Sequence, residues 1–322
     1  MTLKGRNYIF LHTFAEKTNI KRILRPIYNY FDDLVEGNIL HKNGYLRNAY
    51  PNRRCFIIGT GVSLNEIDLS LLVNEYTFGC NLIIKNKLIR ELNLKFYAEI
   101  DRFPALYNYT MNVHGSIFRT DPSTYYPAID NALTNPDALI FLHSSARRFI
   151  RKHNIFTNRN VHFVKSSSPM QNAKVQQHDL SKRITFLDGS IFFMVGTAIY
   201  MGFHELYLCG CGYTYQPVQC MHFYDSPCFP KDLGLDVISK MTDDFVNSRK
   251  VPGLRVHYMA DDDKYYKPIL VRDIKVDIRH KILREFAQAN GAKIYNIIPD
   301  GFESPVYEKI SWNSLVKEGL SQ

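Results

Sequence analysis

Hydrophobic residues along the chain fall into two alternating patterns. One is the short continuous apolar run: 55–58, 76–81, 95–101, 138–143, 161–164, 205–210 and 293–298. A run with no polar alternate position marks a strand covered on both faces, as in the interior of a parallel sheet. The other pattern repeats apolar residues every three or four positions, over about 64–73, 82–92, 191–201 and 278–290. That spacing predicts helices, with Gly202 and Gly291 as stops for the last two. Strand and helix in alternation predict an α/β fold: a Rossmann-like, mostly parallel sheet with helices on both faces. Residues 226–276 are polar and irregular and predict a small helical or loop lid inserted into this domain.

The flanks differ from this core. Residues 1–54 are basic and aromatic and predict a helical extension. Ile20, Ile23, Leu24, Ile27, Tyr28 and Phe31 recur at helical spacing among Lys21, Arg22 and Arg25, with Pro26 interrupting. Such a helix either packs on the main domain or lies on an anionic lipid surface. The main domain is placed at 55–310, and 311–322 is a C-terminal tail.

Polar residues gather where the strands end. The first run leads into Gly59-Thr60-Gly61, then Ser63, with Glu66 three residues on as for a capping box. Glycine permits a sharp turn and close approach of a ligand to bare N–H groups, and a helix N-terminus favours an anion. An ordinary tight turn has the same spacing. There is no third glycine of a dinucleotide fingerprint and no Lys-Ser/Thr of a P-loop. The second strand ends at Asn81 and the third at Glu99 and Asp101. Ligands of open parallel sheets bind beyond the carboxyl ends of the strands, where these groups would meet.

Charge and cysteine content narrow the function. A formal net charge of +9 over 322 residues points to an acidic partner. The basic residues are scattered and no reader motif appears, which argues against nucleic acid. Arg147, Arg148, Arg151 and Lys152 read as a solvated helix face. No run is long enough for a membrane span and no signal-peptide core appears, so a cytoplasmic protein is expected. Cys55 and Cys209 sit in apolar runs as small hydrophobes. Cys211, Cys220 and Cys228 lack the spacing of a structural zinc site, and reduced thiols are expected. Asp261, Asp262 and Asp263 read as a solvated loop, so no metal site is assigned.

The segments Phe56–Asp68, Phe78–Asn81, Gly189–Ser190 and Leu206–Gly210 resemble the bacterial sialyltransferases of glycosyltransferase family 42. They also resemble a wider group related to the hydroxymethylpterin diphosphokinase, many of them from surface-polysaccharide gene clusters. The resemblance covers about 55–300 with gaps. It implies that Gly59, Thr60, Gly61 and Asn81 hold a CMP-linked or other nucleotide-activated donor and that Ser190, although Gly189 and Ile191 replace its usual neighbours, binds the donor sugar; Ser63, Gly189 and Gly210 join them as nucleotide-binding candidates. It also implies that Tyr213 and Tyr215 stabilise the leaving phosphate. Two positions depart from the pattern. Gly212 stands where the family has an aspartate, and Lys275 or Asp277 falls near the place of its catalytic histidine.

The resulting expectation is a glycosyltransferase moving a sugar, sialic-acid-like or otherwise acidic, to a surface glycan or lipid-linked acceptor. His257, His222 and Asp101 are the base candidates, and no cofactor is required. The expected setting is cytoplasmic, with a peripheral contact at the inner membrane face; a homo-oligomer stays open. An alternative is an ATP-dependent diphosphokinase acting on a pterin-like alcohol, with magnesium on Glu99 and Asp101. A second is a catalytically silent nucleotide-binding protein.

Overall fold

The computed structural model describes residues 37–61, 63–64, 67–101, 122–166, 178–184, 189–211, 278–297, 304, 306–317 and 319. Nine strands lie among them: β1 (Arg54–Ile58), β2 (Thr77–Cys80), β3 (Phe96–Glu99), β4 (Leu139–His143), β5 (Asn160–Ser166), β6 (Arg183–Ile184), β7 (Glu205–Cys209), β8 (Lys293–Ile297) and β9 (Glu308–Ile310). They form one sheet in the order β6-β5-β4-β3-β2-β1-β7-β8-β9. Every pairing is parallel. The α/β, Rossmann-like expectation therefore holds.

Side chains leave each strand alternately up and down, so each strand feeds two cores. On one face Cys55, Ile57, Phe78, Phe96, Phe141, Leu206 and Leu208 are buried together. Helix α3 (Ser190–Tyr200) covers them, with helix α4 (278–289) beside it. On the other face Phe56, Ile58, Tyr97, Ile140, Leu142 and Tyr207 pack against α1 (Pro122–Ala132), α2 (Arg147–Lys152) and α5 (Trp312–Lys317). Both faces carry helices, which is why the strands read as unbroken apolar runs.

Two expected helices are replaced. The segment after β1 forms a 3-10 turn over Leu69–Leu72, capped by the Asp68 side chain, which accepts from the Ser70 N–H. The segment after β2 forms 3-10 turns over Asn81–Lys85 and Lys87–Ile89, separated by Asn86, whose side chain accepts from the Leu88 N–H. Apolar residues three apart satisfy both helix types, and the short Asp and Asn side chains cap early. Helix α1 escaped the sequence reading because Pro127 stands inside it.

The described part of the N-terminal extension is built into the α3 side. Leu40 and Leu46 are buried. Asn43 Nδ2 donates to the carbonyls of Phe163 (2.9 Å) and Leu180 (3.0 Å). The amphipathic stretch 20–31 and the lid at 226–276 lie outside the described residues.

Candidate functional site

Strand order fixes where a site can form. From β1 the chain lays strands outward to β6, then returns to put β7 on β1's other side. The carboxyl ends of β1 and β7 therefore flank the point where connections diverge, the usual crevice of such sheets. Gly59-Thr60-Gly61 leaves one strand there and Gly210-Cys211 the other.

These two ends are zipped together. The Gly59 N–H donates to the Cys209 carbonyl at 2.8 Å, and the Gly61 N–H to the Gly210 carbonyl at 2.7 Å. A Cβ on Gly59 would lie 2.5 Å from the Gly210 oxygen and 2.9 Å from Cys211 Sγ. Gly210 itself has φ +61, and its Cβ would sit 3.0 Å from Leu64 Cβ. Gly59 thus serves a close crossing of two backbones. The N–H groups of both turn glycines, bare in the sequence reading, are engaged by the Cys209 and Gly210 carbonyls at the end of β7.

Ser63 does not open an α-helix; it lies in a 3-10 turn. It is buried, and its Oγ has no hydrogen-bond partner among the described residues. An orphaned hydroxyl beside this turn is a polar group left for something else to satisfy.

The helix N-terminus at this edge comes from α3. Gly189 precedes it with φ +124, a conformation that requires glycine. Ser190 then places its Oγ 3.1 Å from Asn81 Nδ2, which donates to it. Asn81 has φ 51, and its carbonyl accepts from the Tyr97 hydroxyl at 2.8 Å. Asn81 and Ser190 are both half-buried, so the pair meets solvent. The first-turn N–H groups of α3 lack intrahelical acceptors and carry partial positive charge. The expected anion geometry exists at this edge, on α3 rather than after the Gly-Thr-Gly turn.

Other strand ends add polar groups. Glu99 is buried; the Tyr125 hydroxyl donates to its Oε2, and the Asp101 N–H to its Oε1 at 3.4 Å. Asp101 is half-buried at the same edge. Sequence reasoning passed over His143, which ends β4 and accepts the Ser145 N–H at Nδ1. It also passed over Lys165 and Ser166, buried at the end of β5. Each closes an apolar run with a polar residue, the signal that exposed Asn81.

His280 was missed too. It sits in the first turn of α4, 4.9 Å from the Phe192 ring, with Nδ1 2.7 Å from the Tyr307 hydroxyl. Burial pushes its pKa down to about 3, so its imidazole is neutral at pH 7.

Burial raises the Cys209 and Cys211 thiols well above their ordinary range, and Cys211 Sγ approaches the Ile57 carbonyl at 3.4 Å. Cys55, Cys80, Cys209 and Cys211 are free and buried. Among the described residues no group of three His, Cys, Asp or Glu could hold a metal ion. No helix among them is long and apolar enough to cross a membrane. His222, His257, Tyr213 and Tyr215, like Cys220, Cys228 and Asp261–Asp263, lie outside the described residues. A depression of about 640 Å³ opens at the opposite edge, around Arg54, Glu75 and His204, away from these groups.

No family model and no curated protein matches the chain. Solved structures do resemble it. The MAf glycosyltransferase from Magnetospirillum magneticum AMB-1 aligns with TM-score 0.43 and 10% identity over 87% of this chain. The chain spans 38% of that protein's length. The sialyltransferase CstII from Campylobacter jejuni, in complex with cytidine-5'-monophosphate, aligns with TM-score 0.38 and 17% identity, covering 81% of this chain and 86% of that one. The monofunctional alpha-2,3-sialyltransferase Cst-I from Campylobacter jejuni aligns with TM-score 0.38 and 15% identity, covering 77% of each.

Proposed function

We propose that the chain is a glycosyltransferase that binds a nucleotide-activated sugar at the carboxyl edge of its sheet. One observation carries this reading: Asn81 and Ser190, singled out separately in the sequence, meet at 3.1 Å beside the β1/β7 divergence. That pair and the N-terminal turn of α3 form a polar, anion-favouring edge in a chain of net charge +9, and the Ser63 hydroxyl in the turn after β1 has no partner among the described residues. The motif resemblance adds the donor class, a CMP-linked or related nucleotide sugar. In this reading Asn81 and Ser190 hold the donor, and Asp101, His222 or His257 deprotonates the acceptor hydroxyl. Tyr213 and Tyr215 neutralise the departing phosphate, so no metal is required. The acceptor is a glycan or a lipid-linked sugar, reached from the cytoplasmic side.

A thermal-shift panel of CMP, UDP, GDP and ADP compounds tests this. A ligand that binds only the folded chain raises its melting temperature by mass action. The expected result is a shift with one sugar nucleotide series, reduced in Asn81→Ala and Ser190→Ala variants. No shift with any of the four would remove the reading. A shift with ADP compounds alone, dependent on magnesium, would favour the diphosphokinase chemistry instead.

A further inference from the structure

We infer that Tyr97 is a positioning residue for the donor site, acting through Asn81; the inference rests on the function proposed above. Tyr97 lies in the middle of β3, with its side chain on the α1/α2 face, and is fully buried. Nothing in the sequence distinguishes it from the apolar residues of that run. Its hydroxyl nonetheless reaches past the end of the neighbouring strand to donate to the Asn81 carbonyl at 2.8 Å.

That contact falls where the backbone is least ordinary. Asn81 is the first residue after β2 and takes φ 51, the left-handed region. Asn tolerates this region better than most residues but does not prefer it to extended or right-handed backbone. Asn81 also begins the 3-10 turn Asn81–Lys85, and Cys80 before it supplies no side-chain cap. The Tyr97 hydroxyl therefore supplies an external anchor for the peptide whose twist turns the Asn81 side chain across to Ser190. The result is a relay of two hydrogen bonds, Tyr97 to the Asn81 main chain and the Asn81 side chain to Ser190. It links β3 and β2 to the start of α3. A polar pair held in one geometry before the ligand arrives loses less entropy on binding.

The test is Tyr97→Phe, which removes the hydroxyl and keeps the ring in its packing. Two measurements separate this inference from the function it rests on. The first needs no ligand: amide NMR of the Asn81 side-chain NH2 and the Ser190 backbone N–H. Both resonances should move in Tyr97→Phe; if both stay in place, the relay is overturned. The second is CMP affinity by calorimetry. Losing one such bond corresponds to weakening of about fivefold. The same change made in an Asn81→Ala background should add nothing, because Tyr97 acts only through Asn81. Additive losses would mean that the Tyr97 hydroxyl acts by a route other than Asn81 and would overturn the inference. If the wild-type chain does not bind CMP, the CMP-linked donor falls, and the NMR result alone decides the relay.

Discussion

Replacing Gly59 by alanine tests whether β1 and β7 cross as closely as the structure has them. The new Cβ would stand 2.5 Å from the Gly210 oxygen and 3.1 Å from the Gly210 carbonyl carbon. A carbon and a carbonyl oxygen rest at about 3.3–3.6 Å even in favourable contact, so the strand ends must part by roughly 1 Å. The obstacle is backbone, which cannot rotate aside. Separation by that amount breaks the bonds from the Gly59 N–H to Cys209 and from the Gly61 N–H to Gly210. Two lost hydrogen bonds contribute about 1 kcal/mol each, and overpacking about 1–3 kcal/mol. Alanine returns about 0.4–1 kcal/mol by stiffening the unfolded chain. The expected loss is then about 2–4.6 kcal/mol, against roughly 5–15 kcal/mol for a whole domain. Urea unfolding followed by circular dichroism would read it as a lower midpoint at unchanged slope. Gly291→Ala is the control: its φ is +72 but nothing lies within 4 Å of the added Cβ. Strain alone predicts about 1–2 kcal/mol there. A Gly59→Ala chain within about 0.5 kcal/mol of wild type would refute the close crossing.

Further outcomes follow from other contacts. In Gly196→Ala the added Cβ would meet the His178 ring at 2.5 Å inside the α3 core, costing about 1–3 kcal/mol less up to about 1 kcal/mol of helix propensity; an unchanged urea midpoint would contradict that packing. Burial lowers His178 and His280 to about 3 and His162 to about 4, so each is neutral when folded and protonates near pH 6.5 once unfolded. The unfolded chain therefore binds more protons below that pH, and stability should fall from about pH 6.5 downward by about 1.4 kcal/mol per pH unit per histidine until the folded pKa is reached. Urea midpoints at pH 7 and pH 5 check it, with a shallower fall expected in His178→Gln; equal midpoints would refute it. In the proposed mechanism tyrosines and helix N–H groups carry the leaving phosphate, so transfer activity should survive EDTA; complete loss restored by magnesium, at unchanged circular dichroism, would refute the metal-free mechanism.

The sheet was legible because burial on both faces leaves a coarse trace. Cys55–Ile58, Leu139–His143 and Leu206–Cys209 admit no polar residue before their ends, and each is a strand within one residue of its reading. Helix α3 was legible from its apolar length and Gly202, whose φ is +95. The turns after β1 and β2 were not, because spacing of three serves a 3-10 turn as well as an α-helix. In the site, Asn81 and Ser190 could be named separately, but their contact crosses 109 positions and depends on strand order. Tyr97 could not be found at all. A tyrosine in an apolar run reads as core, and only the path of the neighbouring strand reveals what its hydroxyl reaches.

The placement of β1 between β2 and β7 has a consequence for how the chain is made. During synthesis β1 through β6 emerge early and can assemble in order, since each joins its predecessor at the sheet's growing side. The other side of β1 must wait, because Arg54–Ile58 pairs with Glu205–Cys209. Until that later stretch leaves the ribosome, an apolar strand with unpaired N–H and C=O groups is open to the cell. Contacts so distant in sequence form slowly, and an open strand invites pairing with another nascent chain. Chains truncated before β7 should therefore depend on chaperones or aggregate, whereas loss of β9 alone leaves the central pairing intact.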